Sequence, residues 1–130
     1  MFGQGPIVNS LRNLATRSGF DVLLFDHHEL VNLASYCDQY TGLVSLFHEH
    51  DLEFDILSSA LQSDLFYIGA LGSKRTHETR LKQLSERGVE QEKLAKIHAP
   101  VGLDIGAITP QQIAVSIVAE MIAVMNHHAE

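Results

Sequence analysis

Little in this sequence points to a polyanionic partner, an oxidising compartment or a bilayer. Nine Lys and Arg stand against sixteen Asp and Glu, for a formal net charge of -7. With no Lys/Arg-rich run, this argues against a nucleic-acid surface or an anionic membrane as partner. The single cysteine, Cys37, cannot form an internal disulfide. No signal peptide opens the chain, so the expected compartment is a reducing cytoplasm. The longest apolar segment, Ile113 to Met125, is broken by Ser116 and Glu120 and is shorter than the roughly 20 residues that span a bilayer. Internal repeats, low-complexity tracts and linkers are also missing. What remains, 130 residues of which 45% are hydrophobic, is expected to form a single domain, 1–130, with its own core.

The stretch Phe66 to Arg75 carries the chemistry. Leu65 to Ile68 reads as a buried strand, Gly69 and Gly72 punctuate it, and a helix runs from Ser73 to about Arg87, stopped by Gly88. Such a junction aims backbone N–H groups at an anion. Lys74 and Arg75 fall in the first helical turn, where each cation opposes the helix dipole by roughly 0.3–1 kcal/mol. A bound anion reverses that sign; the plain alternative is two long side chains reaching solvent.

The chain opens with Gly3-Gln4-Gly5-Pro6, half of a dinucleotide fingerprint, followed by a helix with Ile7, Leu11 and Leu14 on one stripe and Gly19 at its stop. Asp21 to Asp26 reads as a strand ending in a carboxylate, and Asp26 lies 23 positions after Gly3, near the spacing at which an acid meets the ribose of NAD. Val8 replaces the third small residue of the fingerprint, and only Met1 and Phe2 precede Gly3, so the first strand is largely missing. Further on come a strand Leu43 to Phe47 ending at His48, a helix from about Glu53 to Gln62, a short helix Glu90 to Ile97, and an irregular segment His98 to Gly106 lying across the top of the fold. In the last helix, Thr109 is the N-cap, Pro110 the first residue and Gln112 the capping-box partner.

Alternation of apolar strands and helices implies an α/β, Rossmann-like three-layer fold with a mostly parallel sheet covered on both faces. Ligands bind beyond the carboxyl ends of such strands. The unusual residues collect at four of those ends: Gly3-Gln4-Gly5, Asp26, His48, and Gly69 to Arg75. Asp104, between Gly102 and Gly106, either faces the ligand or bonds its own loop. His48 and His50 form a weak metal pair without a third ligand, Cys37 reads as a buried thiol, and Ser116 with Glu120 as structural hydrogen bonders.

Tyr67 to Arg75 (Tyr-Ile-Gly-Ala-Leu-Gly-Ser-Lys-Arg), His98 to Gly106 (His-Ala-Pro-Val-Gly-Leu-Asp-Ile-Gly) and Thr109 to Glu120, in that order, resemble the C-terminal Rossmann domain of the XdhC/CoxI family. With Gly3-Gln4-Gly5 and Asp26 the resemblance covers nearly the whole chain. It implies an accessory protein rather than an enzyme, one that binds molybdenum cofactor (molybdopterin) and helps insert it, sulfurated, into a xanthine dehydrogenase-type molybdoenzyme. A cysteine desulfurase is a further candidate partner. This chain has Pro6 where the family usually has His and Gln112 where it has an acid, and the family's separate N-terminal domain is not within these 130 residues, as expected either of a fragment of a longer parent or of a reduced stand-alone form.

Three readings follow. In the first, a binding module holds a phosphate-bearing pterin or nucleotide: Gly3, Gly5, Gly72, Ser73, Lys74 and Arg75 meet phosphate, Asp26 meets a hydroxyl, and His48, Gly69 and Asp104 complete the rim. In the second, an NAD-dependent oxidoreductase uses His48 or Tyr67 as proton donor. The third is an interaction domain with a vestigial pocket. The nearly absent first strand leaves neighbouring strands with unpaired backbone groups, which implies either a sheet closed up by direct pairing of the remaining strands or, the favoured expectation, a homo-oligomer that covers the sheet.

Overall fold

Parallel strands β1 (Gly42–Ser45), β2 (Tyr67–Ala70) and β3 (Ile97–His98) form one sheet in the order β1-β2-β3. The structure is a computed structural model that describes residues 1, 5–24, 38–46 and 50–129. Each ladder is in parallel register, with Leu43 opposite Ile68 and Gly69 opposite His98. Parallel pairing requires a crossover, and the helices supply it: α2 (His50–Leu61) joins β1 to β2, while α3 (Lys74–Glu86) and α4 (Gln91–Leu94) join β2 to β3.

Successive strand residues face opposite ways, and the two cores follow from that. Leu43, Ile68 and Ala70 meet Phe54, Leu57 and Leu61 of α2 with Leu84 of α3. Val44 and Tyr67 belong to the other core, with Val8, Leu11 and Ala15 of α1 (Pro6–Arg17) and Ile117, Val118 and Met121 of α5 (Pro110–Ala129). The sheet is therefore covered on both faces, as its uninterrupted apolar strands require.

Local chemistry sets the helix ends. Gly19 (φ 97°) and Gly88 (φ 91°) follow the last turns of α1 and α3, and the amides of Phe20 and Val89 bond back to Ala15 and Leu84, the glycine-terminated stop expected at both places. At α5 the Thr109 hydroxyl accepts from the Gln112 amide at 3.1 Å while Gln112 Oε1 accepts from the Thr109 amide at 3.3 Å, a closed capping box.

Several boundaries move. The strand expected at Leu65 to Ile68 lies at Tyr67–Ala70, so Gly69 is inside β2 rather than in the turn. The helix expected from Glu53 begins at His50, and the strand expected to reach Phe47 closes at Ser45. The expected helix Glu90 to Ile97 shrinks to Gln91–Leu94, because Ile97 is buried in the sheet opposite Ile68. Residues 21–24 form no ladder among the described residues, and Asp26 lies outside them.

Candidate functional site

β2 ends at Ala70 and the chain turns through Leu71, Gly72 and Ser73 into α3. Gly72 has φ 140°, a conformation rare for L side chains, and a Cβ there would lie 3.0 Å from Thr76 Cγ2. Ser73 caps α3, its Oγ accepting from the Thr76 amide at 3.2 Å. Lys74 and Arg75 are exposed, no acid occupies the first turn, and neither cation forms an ion pair among the described residues. Open first-turn N–H groups and two unneutralised cations make the carboxyl end of β2 an anion-attracting position.

Two residues behind this turn escaped the sequence reading. Arg80 is fully buried; its Nη2 donates to the Leu71 carbonyl at 2.7 Å and its Nη1 lies 3.0 Å from His77 Nδ1. Arg80 thus ties α3 to the residue that starts the turn. Because a guanidinium only donates, His77 Nδ1 must accept and stay unprotonated. Burial, then the neighbouring Arg80 charge, holds the His77 pKa below its ordinary value. The available signal was position: Thr76, Arg80 and Leu84 are spaced by four along α3, which puts Arg80 in line with a core leucine.

Gly69 is buried within β2 and cannot join the anion-facing turn. Its missing side chain serves packing instead. A Cβ there would come 2.5 Å from Val101 Cγ2 and 2.8 Å from Tyr67 Cε1, so glycine lets the Tyr67 ring lie along the strand. That ring stacks on His98 at 4.7 Å between centroids, and its hydroxyl donates to Glu120 Oε1 at 2.5 Å. Burial, then the bond to Glu120 and its charge, drives the phenol pKa far upward. Tyr67 is 1% exposed. It cannot face a nicotinamide, which removes one of the two proton donors of the oxidoreductase reading.

The segment after β3 lies across the strand ends, as expected. Its Val101 amide bonds the Ala70 carbonyl at 3.1 Å, which seats it beside the turn into α3. Asp104 is exposed and makes no hydrogen bond or ion pair among the described residues, so it does not bond its own loop. Leu103, Ile105 and Ile108 are exposed nearby.

The structure therefore brings Gly72, Ser73, Lys74, Arg75 and the loop of Asp104 to one strand end. Gly5, at φ 108°, is the N-cap of α1 and offers no capping side chain. Gly3, Asp26, His48 and Cys37 lie outside the described residues, as does the side chain of His50. Among the described residues no three His, Cys, Asp or Glu cluster as metal ligands, and no helix is long and apolar enough to cross a membrane.

A cavity of about 510 Å³ lies elsewhere, between β1 and residues 20–23, with Leu11, Ala15, Phe66, Met121 and Met125 among its walls. The Met1 ammonium donates to the Leu23 carbonyl there at 2.9 Å.

A parallel sheet covered on both faces, with a glycine turn and helix N-termini at the carboxyl ends of its strands, defines the Rossmann class. Within it, the chain belongs to the XdhC Rossmann domain family, which matches residues 1–121. It is 33% identical, over 130 residues, to the molybdenum cofactor insertion chaperone PaoD of Escherichia coli (strain K12), a match covering all of this chain and 41% of that protein. It is 32% identical over 142 residues to a probable xanthine dehydrogenase subunit of Bacillus subtilis (strain 168), covering 94% of this chain and 41% of the relative. The crystal structure of a xanthine dehydrogenase from Bacillus halodurans superposes with a TM-score of 0.77 at 26% identity, over 97% of this chain and 41% of that one. This chain thus spans about two fifths of the length of these relatives.

Proposed function

We propose that this chain binds molybdenum cofactor in the cytoplasm and assists its insertion into a xanthine dehydrogenase-type molybdoenzyme. The observation that carries the reading is 33% identity, across the whole chain, to a molybdenum cofactor insertion chaperone. The chemistry of the rim fits such a ligand. The phosphate of the pterin would take the first-turn N–H groups of α3 with Lys74 and Arg75, and Gly72 keeps side-chain bulk away from it. Gly5 and Asp104, with Gly3, Asp26 and His48, are the remaining candidate contacts. A cysteine desulfurase is the partner that would supply sulfur for the sulfurated cofactor. Anaerobic calorimetry with molybdenum cofactor, NAD and NADP tests the reading: cofactor binding tighter than either dinucleotide is the expected result, and NAD binding without cofactor binding would overturn it.

The chain is also proposed to self-associate. Leu23, Leu24 and Tyr40 are exposed, and the edge of β1 away from β2 pairs with no strand among the described residues; a second copy would cover them. Sedimentation velocity at low micromolar concentration should give a dimer or larger; a stable monomer sinks this proposal.

A further inference from the structure

Three consecutive amides of the segment after β3 are each anchored, the first by β2 and the next two by α5. Val101 N–H donates to the Ala70 carbonyl of β2 at 3.1 Å and Leu103 N–H to the Ser116 carbonyl of α5 at 3.1 Å. Between them, Gly102 N–H donates to Glu120 Oε1 at 3.2 Å. The fit is close: at Gly102, φ is 97° and a Cβ would come 2.3 Å from Ser116 Oγ. Of these three anchors only Glu120 is a side chain. The same oxygen accepts from Tyr67 and lies 3.6 Å from His98 Nδ1. One carboxylate of 14% side-chain exposure thus joins β2, β3, the loop and α5, and such a group is stabilised by donors that converge on its charge.

We propose that Glu120 is a positioning residue: it fixes the backbone of Gly102 and Leu103 against α5, and through them sets the place of Asp104 at the rim of the cofactor site. It does not touch the ligand itself. Its bearing on cofactor rests on the function proposed above, whereas the loop lock does not, so the decisive measurement uses no ligand.

Amide hydrogen exchange, read residue by residue by NMR, is that measurement. Removing only one partner would leave a buried polar group unpaired and endanger folding, so the informative variant is the double Tyr67→Phe/Glu120→Met. It replaces the buried Tyr67–Glu120 pair by apolar groups of similar size and leaves the Gly102 amide, at a half-buried residue, to water. Exchange at Gly102 and Leu103 should quicken by roughly tenfold or more, the worth of one charge-assisted hydrogen bond, while Ile68 in the middle of β2 keeps its protection. Tyr67→Phe alone keeps the carboxylate and should leave Gly102 protected, and Glu120→Gln, which keeps an acceptor, should restore most of the protection. The proposal is overturned if Gly102 exchanges unchanged in the double variant, if Ile68 accelerates as much as Gly102, or if Tyr67→Phe alone releases the loop.

Discussion

Replacing Lys74 and Arg75 together by Ala should move stability and anion affinity in opposite directions. Both residues occupy the first turn of α3, both are exposed, and no acid lies in that turn to offset them. Each cation sits at the positive end of the helix dipole and costs roughly 0.3–1 kcal/mol; exposure favours the lower half of that range. Their removal should therefore stabilise the ligand-free protein by about 0.6–1.3 kcal/mol, a rise in Tm of roughly 2–5 °C for a domain of this size. Charge-assisted bonds to a phosphate are worth about 1.5–3 kcal/mol each in good geometry, so losing even one should weaken a phosphate-bearing ligand at least tenfold. Urea unfolding in phosphate-free buffer measures the first effect. The Tm gained by the parent, but not the variant, on adding inorganic phosphate or cofactor measures the second. A variant less stable than its parent without anion, or one that keeps the parent's affinity, would show that the turn at β2 is only a helix start.

Gly69→Ala should cost about 1–3 kcal/mol in urea unfolding, since its Cβ would meet Val101 Cγ2 at 2.5 Å and Tyr67 Cε1 at 2.8 Å in a packed core; a cost under ~0.5 kcal/mol would mean the ring and strand adjust freely. Acid should destabilise the fold through His77. Its folded pKa is lowered from an ordinary 6.5, so below that value the unfolded chain binds more protons, and stability falls as pH drops, by at most ~1.4 kcal/mol per pH unit. His77→Asn keeps an acceptor for Arg80 but cannot titrate, and should flatten the urea midpoint between pH 7 and 5 relative to the parent; parallel curves would exclude His77 as the source.

What could be read from the sequence was what local chemistry decides. Gly19 and Gly88 stop helices because the left-handed position after a last turn favours glycine, and Thr109 with Gln112 caps α5 because both partners lie within one turn. Gly69 looked like the same punctuation as Gly72, yet only Gly72 has positive φ. The demand at Gly69 comes from Val101, 32 positions away in sequence, and no local pattern encodes it. Ile97 was drawn into a helix for a related reason: a two-residue strand has no period, and it exists here because β2 supplies a ladder and the core a place for its side chain. Arg80 carries the same lesson for polar residues, since helical charges are ordinarily solvated and the Leu71 carbonyl that draws this one inward arrives from the turn after β2, whereas Glu120, read from its helix face as a structural hydrogen bonder, does bond Tyr67 and Gly102.

Charge and backbone donors, rather than volume, favour the carboxyl end of β2 as the phosphate position proposed above. The cavity beside β1 is a defined concavity of about 510 Å³, but its titratable side chains are Asp21, Asp38 and Tyr40, with no Lys or Arg. A phosphate entering it would meet two carboxylates and apolar walls, with the Met1 ammonium, already bonded to the Leu23 carbonyl, as the cation at hand. At the carboxyl end of β2 the same phosphate would meet first-turn N–H groups and two cations that no acid pairs with among the described residues.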